Sequence, residues 1–176
     1  MSTPISDEIV EQIARCAIAE YKKVEEKARQ ERRDRNLRNT KKLMRIMPAV
    51  RQHSNSSIAE LADVVDDDGL DVLVGMIRGG GGDIKVESVQ RSAARTRLMI
   101  DHIYSMIDAY RREALASKRD EVRRRYRVFE MMYLLEEPKE PEEIAEIENI
   151  DKRTVYKDIN AACERLSYYI FGIDAF

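Results

Sequence analysis

The sequence predicts an all-α fold, and three observations carry that prediction. Apolar residues recur at intervals of three and four through most of the chain, which is the period of an amphipathic helix. Charged residues make up 36% of the chain while aromatics make up only 6%, with no Trp, a balance that favours long solvated helices over a sheet. Pro48, Pro138, Pro141 and the four glycines at 79–82 punctuate the periodic stretches. The expected architecture is an extended N-terminal helical region, a long central helix and a C-terminal helix-turn-helix domain. Its segments are a helical arm over 1–50 suited to oligomerisation, a short helix and Gly-rich linker over 51–86, the central helix over 87–118, and the helix-turn-helix domain over 119–176.

Each element has its own justification. From Ser6 the pattern Ile9, Ile13, Cys16, Ala17, Tyr21, Val24 and Ala28 forms one helical stripe. It fades into "RQERRDRNLRNTKK", which either carries the helix into solvent or ends it. Leu43, Met44, Ile46 and Met47 make a second apolar patch, and Pro48 is expected to stop the helix there, because it lacks the amide hydrogen a helix interior needs. Ser57 stands three residues before Glu60, a capping-box spacing that predicts a short helix ahead of Leu61 and Val65. "LDVLVGMI" suits a buried turn of helix or a strand, and periodicity does not separate the two. The glycines at 79–82 read as a hinge; no Gly-Lys-Ser/Thr follows to make them a phosphate loop.

A long helix from Glu87 is marked by Val89, Ala93, Thr96, Ile100, Ile103, Ile107 and Tyr110, stepping by threes and fours. A second, from about Asp120, carries Val122, Tyr126, Phe129, Met132 and Tyr133 and stops near "EEPKEP". Met and aromatic residues at this spacing are expected in the core.

The net charge of −2 announces no global attraction to nucleic acid, but the charge is segregated. Eleven Lys and Arg face four acids between Lys22 and Arg45, and eight face three between Arg111 and Arg127. The acids gather in "DVVDDDGLD" and "EEPKEPEEIAEIE". Cys16 and Cys163 have neither disulfide nor metal spacing. The N-terminus lacks the basic and apolar regions of a signal peptide, and no apolar run approaches the roughly 18 residues of a membrane span. A cytoplasmic protein with no membrane partner is expected. No nucleophile motif, metal cluster or carboxylate pair marks an enzyme or a cofactor site, and His53 and His102 read as surface or packing residues.

Chemistry gathers at "NIDKRTVYKDINAACERL". Pro141 suits a first helical turn, and the segment to Glu148 presents Ile144, Ala145 and Ile147 as its packing side. Asn149 stands where a left-handed residue is wanted, Ile150 fills the corner, and Asp151 is placed to cap the next helix. This is the order of a helix-turn-helix. Stepping about 100° per residue from Val155 puts Ile159, Ala162 and Leu166 within about 40° of it, so they form the packing face. Arg153, Tyr156, Lys157, Asn160 and Glu164 fall opposite. Arg matches a guanine edge, Asn matches adenine, Tyr meets a thymine methyl or phosphate, and Lys neutralises phosphate. With Lys152 and Thr154 in the same first turn, they form a predicted major-groove reading face. Arg123, Arg124 and Arg127 on the preceding long helix are candidate backbone contacts. Glu142, Glu143 and Glu146 oppose this reading unless they serve the positive end of their own helix.

"EEIAEIENIDKRTVYKDINAACERLS" resembles the C-terminal helix-turn-helix of ArpU-like phage late-gene transcription regulators, which is similar to the promoter-reading region 4 of sigma factors. "RNTKKLM" at 38–44, "ARTRLMIDHI" at 94–103 and the terminal "YYIFGIDAF" fit the same family. The likeness is most specific over about 120–176, and residues 50–86 are unmatched. Glu148 and Asn149 depart from a sigma-like pattern, which has an apolar residue and a glycine there; Ile147 is expected to take over the packing. The resemblance implies a DNA-binding activator of late phage or prophage genes in a bacterial host, nucleoid-associated, with double-stranded DNA, RNA polymerase and a second copy of itself as expected partners. Two rival readings stand beside it: a helical interaction protein built on the N-terminal stripe, and a DNA-packaging adaptor such as a small terminase subunit, which also uses a helix-turn-helix.

Overall fold

The computed structural model describes residues 7–52, 61, 67–78 and 93–172, and these form six α-helices with no strand among them. The first, α1, runs Asp7–Gln52 without interruption, about 69 Å at 1.5 Å per residue. Its residues 8–35 are all exposed. From Asn36 onward one side turns inward and buries Thr40, Leu43, Met44, Met47 and Val50. The Thr40 hydroxyl donates to the Asn36 backbone carbonyl at 2.9 Å, so this buried hydroxyl is satisfied within the helix.

The expected stop at Pro48 does not occur, and the charged run carries the helix into solvent rather than ending it. A proline in a helix interior costs about 3 kcal/mol or more through the lost hydrogen bond and the ring's clash with the preceding turn. Leu43, Met44, Met47 and Val50 are each at most 1% exposed, and burying one such side chain is worth about 1.5–3 kcal/mol. Packing on both sides of the ring therefore outweighs the local penalty.

The ambiguous "LDVLVGMI" is helical, within α2 (Asp67–Arg78), and buries Leu70, Leu73 and Val74. Gly69 lets it approach α1 closely. A Cβ there would lie 2.4 Å from Ile46 Cγ2 and 2.8 Å from the Lys42 carbonyl oxygen, distances no side chain tolerates. Lys42 also reaches Asp68 at 3.0 Å. The predicted helix at Ser57–Glu60, the glycine hinge at 79–82 and the first residues of the central helix lie outside the described residues; Leu61 is fully buried.

The central helix is α3 (Ala93–Ala116), and Thr96, Ile100, Ile103, Ile107 and Tyr110 form its buried face as the spacing predicts. In α4 (Asp120–Tyr133) Tyr126, Val128 and Phe129 are buried. Tyr110 meets Tyr126 and Phe129 edge-on, with ring centroids 5.6 and 6.0 Å apart, the geometry that aromatic quadrupoles prefer. Burial raises the pKa of the Tyr110 phenol far above its ordinary value.

Two helices close the chain, α5 (Pro141–Glu148) and α6 (Lys152–Phe171). Pro141 opens α5, and the Glu140 N–H donates to the Glu143 carboxylate at 2.9 Å as half of a capping box. Asn149 is left-handed at φ 52°, ψ 50°, a region where Asn is tolerated better than most residues. The Ile150 N–H reaches back to the Ala145 carbonyl at 2.9 Å. Asp151 caps α6, accepting from the Thr154 N–H at 2.9 Å and the Thr154 hydroxyl at 2.7 Å.

One packing expectation fails in this unit: Ile147 is 56% exposed, while Ile144 is fully buried. The inward side of α5 is centred between Ile144 and Glu148, because Glu148 is drawn in by a bidentate pair with Arg127 at 2.7 and 2.6 Å. That rotation turns Ile147 outward.

Candidate nucleic-acid interface

The inward side of α6 packs as its spacing predicts. Val155, Ala162 and Leu166 have no exposure and Ile159 only 4%, which fixes the opposite side towards the surface. A second constraint comes from Asp158, whose carboxylate is 1% exposed. It accepts from Arg124 Nε at 2.7 Å, and Arg125 Nε lies 3.5 Å away. Hydrogen bonding to Asp158 is the main cause of an Arg124 pKa raised above its ordinary value. A carboxylate buried between two guanidiniums on α4 sets the rotation of α6 about its own axis.

The first two turns of α6 are open. Lys152, Arg153, Tyr156 and Lys157 are all exposed. The side chains of Arg153 and Lys157 make no ion pair or hydrogen bond with other described residues. Tyr156 keeps 48% of its surface exposed, with the Lys152 ammonium 5.9 Å from its ring centre. Lys152 itself pairs with Glu142, so that acid of α5 is neutralised locally, and Glu143 serves the capping box. Thr154 is committed to the Asp151 cap and lies half-buried at the edge of the face.

Beyond those turns the outward side of α6 is met by α1. The Lys41 ammonium donates to the Asn160 side-chain amide oxygen Oδ1 at 2.5 Å, and Arg33 pairs with Glu164. Tyr168 borders a cleft shared with Arg29, Gln30 and Arg33. Cys163 and Ser167 are buried in this half of the helix, and burial pushes the Cys163 thiol up to about 12. Reading an adenine requires both ends of the Asn amide. In this arrangement Lys41 occupies one of them.

The three arginines of α4 stand apart from the open first turns of α6. Arg123 binds Asp120 and donates to the Ser117 carbonyl at 3.0 Å. Arg124 holds Asp158, and Arg127 holds Glu148. The Arg127 guanidinium in turn lowers the Glu148 carboxyl below its ordinary range. Nine predicted site residues thus separate into an open group of Arg153, Tyr156 and Lys157, a set tied by intramolecular bonds, and Asn160, which is shared with α1.

Sequence reasoning missed Asp158, Arg33 and Lys41. Asp158 carried a signal, because an acid beside Val155, Ile159 and Ala162 on the packing side must find a buried cation. Arg33 and Lys41 carried none, as they meet α6 across 131 and 119 positions of sequence. His102 is exposed on α3, and His53 lies outside the described residues. The described residues hold no group of metal-ligating side chains, and none of their helices is long and apolar enough to cross a membrane. In comparisons with known proteins, the chain matches no family model, no curated protein and no solved structure.

Proposed function

We propose that this chain is a sequence-specific regulator of transcription that binds double-stranded DNA, with α5 and α6 acting as a helix-turn-helix and the first turns of α6 entering the major groove. One observation carries the reading. Arg153 and Lys157 project from the start of a well-packed helix without side-chain partners among the described residues, while Lys152, Arg123, Arg124 and Arg127 around them are each matched to a carboxylate. A guanidinium and an ammonium left unmatched beside an exposed phenol suit guanine edges, phosphate and a thymine methyl. The resemblance to ArpU-like regulators extends the proposal to activation of late phage or prophage genes, with RNA polymerase as a partner. In the seating shown, Arg124 and Arg127 act by orienting α5 and α6 rather than by touching the duplex.

Selection of duplexes from a random pool by the full chain tests this reading. An enriched site is expected. On that site Arg153→Ala should cost about 1–3 kcal/mol and relax the preferred base, while Lys157→Ala should weaken binding to all sequences and reduce the salt slope by about 1. A pool that returns no sequence, or two variants that bind as the parent does, removes the proposal. The rival reading, a helical interaction protein, is favoured by the exposed stripe of α1; oligomerisation without any selected sequence would choose it.

A further inference from the structure

The first half of α1 poses a physical problem that the other described residues leave unsolved. Residues 8–35 are exposed along their whole length, yet they present Ile9, Val10, Ile13, Ile18, Tyr21 and Val24 at 51–70% exposure. An isolated helix of this length is marginal in water, and most helical stability in proteins comes from packing an apolar face. The apolar positions are not scattered. Val10, Ala14, Ala17, Tyr21, Val24 and Ala28 alternate in steps of four and three, the seam of a two-stranded coiled coil, and Ile13 and Ile18 flank it.

Charge decides what can lie on that seam. Residues 7–20 hold four carboxylates and one guanidinium, whereas residues 22–32 hold five cations and three carboxylates. The helix is negative at its start and positive further on. A parallel copy would set like against like. An antiparallel copy sets each acidic end beside a basic one and also opposes the two helix dipoles. Only one antiparallel register pairs the whole seam with itself: Val10 opposite the partner's Ala28, Ala14 opposite the partner's Val24, and Ala17 opposite the partner's Tyr21. The alanines allow close approach, and Tyr21 covers what they leave open.

We propose that residues 8–30 of α1 form an antiparallel coiled coil with the same segment of a second copy of this chain, centred near Ala19. The dimer needs neither DNA nor the reading face of α6, so its failure and that of the proposed function are separable. In this register Cys16 lies outside the seam.

Full-length chains carrying Cys16→Ser provide the background for the test. Val10→Cys chains and Ala28→Cys chains, each oxidised alone, should remain uncross-linked, and an equilibrated mixture of the two should give a disulfide-linked pair. Light scattering of the parent chain should give twice the chain mass. Val24→Glu, a change at a position exposed in the single chain, should return it to one chain mass with the helical circular dichroism of the body retained. Cross-linking of Val10→Cys chains to each other overturns the antiparallel arrangement. A single chain mass for the parent, or a double mass for Val24→Glu, overturns the dimer.

Discussion

The two halves of α1 share one helix and one apolar period, but they differ in what lies beside them. Between Thr40 and Val50 the stripe is buried against the body; between Ile9 and Val24 the same kind of stripe stands in solvent. Periodicity states that a face wants to be covered and is silent on what covers it. Composition marks the difference more clearly: the docked half includes Leu43, Met44 and Met47 among its contact positions, whereas the 10–28 seam of the arm carries only Ala, Val and Tyr. Long, flexible side chains suit an irregular core, and short ones suit the close, regular approach of another helix.

The sharpest way to break this comparison is to truncate one residue in each half. Leu43→Ala should cost about 2–5 kcal/mol in chemical denaturation, as for other fully buried leucines. Val24→Ala, measured on protein dilute enough to be monomeric, should stay within about 0.5 kcal/mol. Equal costs would mean that the arm is covered within its own chain. Next in size is the crossing of α1 and α2, where Gly69→Ala drives a methyl towards the Lys42 carbonyl and should destabilise by about 1–3 kcal/mol, read as a lowered melting temperature.

Ion pairs sharpen the same contrast. Arg15 and Glu11 on the arm are 76% and 65% exposed, while Glu148 in its pair with Arg127 is 10% exposed. Glu11→Gln should change stability by a few tenths of a kcal/mol at most. Glu148→Gln should cost about 1–2 kcal/mol at neutral pH, discounted for the half-exposed guanidinium. Because the folded state lowers the Glu148 pKa from 4.5, its contribution is fully present above that value and disappears as the pH falls through the lowered one. A stability profile measured against pH should therefore lose part of its acid limb in Glu148→Gln. The smallest test uses the two thiols: Cys16 is exposed and Cys163 is buried. An alkylating reagent should modify Cys16 in the native protein and reach Cys163 only when α1 and α6 separate.

Much of this was legible in the sequence where local chemistry decides the outcome. The left-handed Asn149, the Asp151 cap and the packing face from Val155 to Leu166 follow from spacing and residue type alone. So does the buried face of α3 from Thr96 to Tyr110. Pro48 misleads because its local penalty is visible in the sequence while the tertiary burial on either side of it is not. Ile147 was misleading because Arg127, twenty positions upstream, rotates α5 through Glu148. The candidate site was half legible. Its side chains and their facing could be read, but the meeting of Lys41 with Asn160 and Arg33 with Glu164 depends on how distant segments dock, and no pattern within α6 encodes that.

The continuity of α1 from its exposed arm into the body has a mechanical consequence. The segment that emerges from the body and the segment that touches α6 belong to one stiff rod, with no joint between Arg29 and Lys41. Adding one residue there would lengthen the rod by only about 1.5 Å but would swing its free end about 100° around the axis. Such a connection is tolerant in reach and strict in heading, so deletions of one or two residues should disturb it more than the loss of two whole turns.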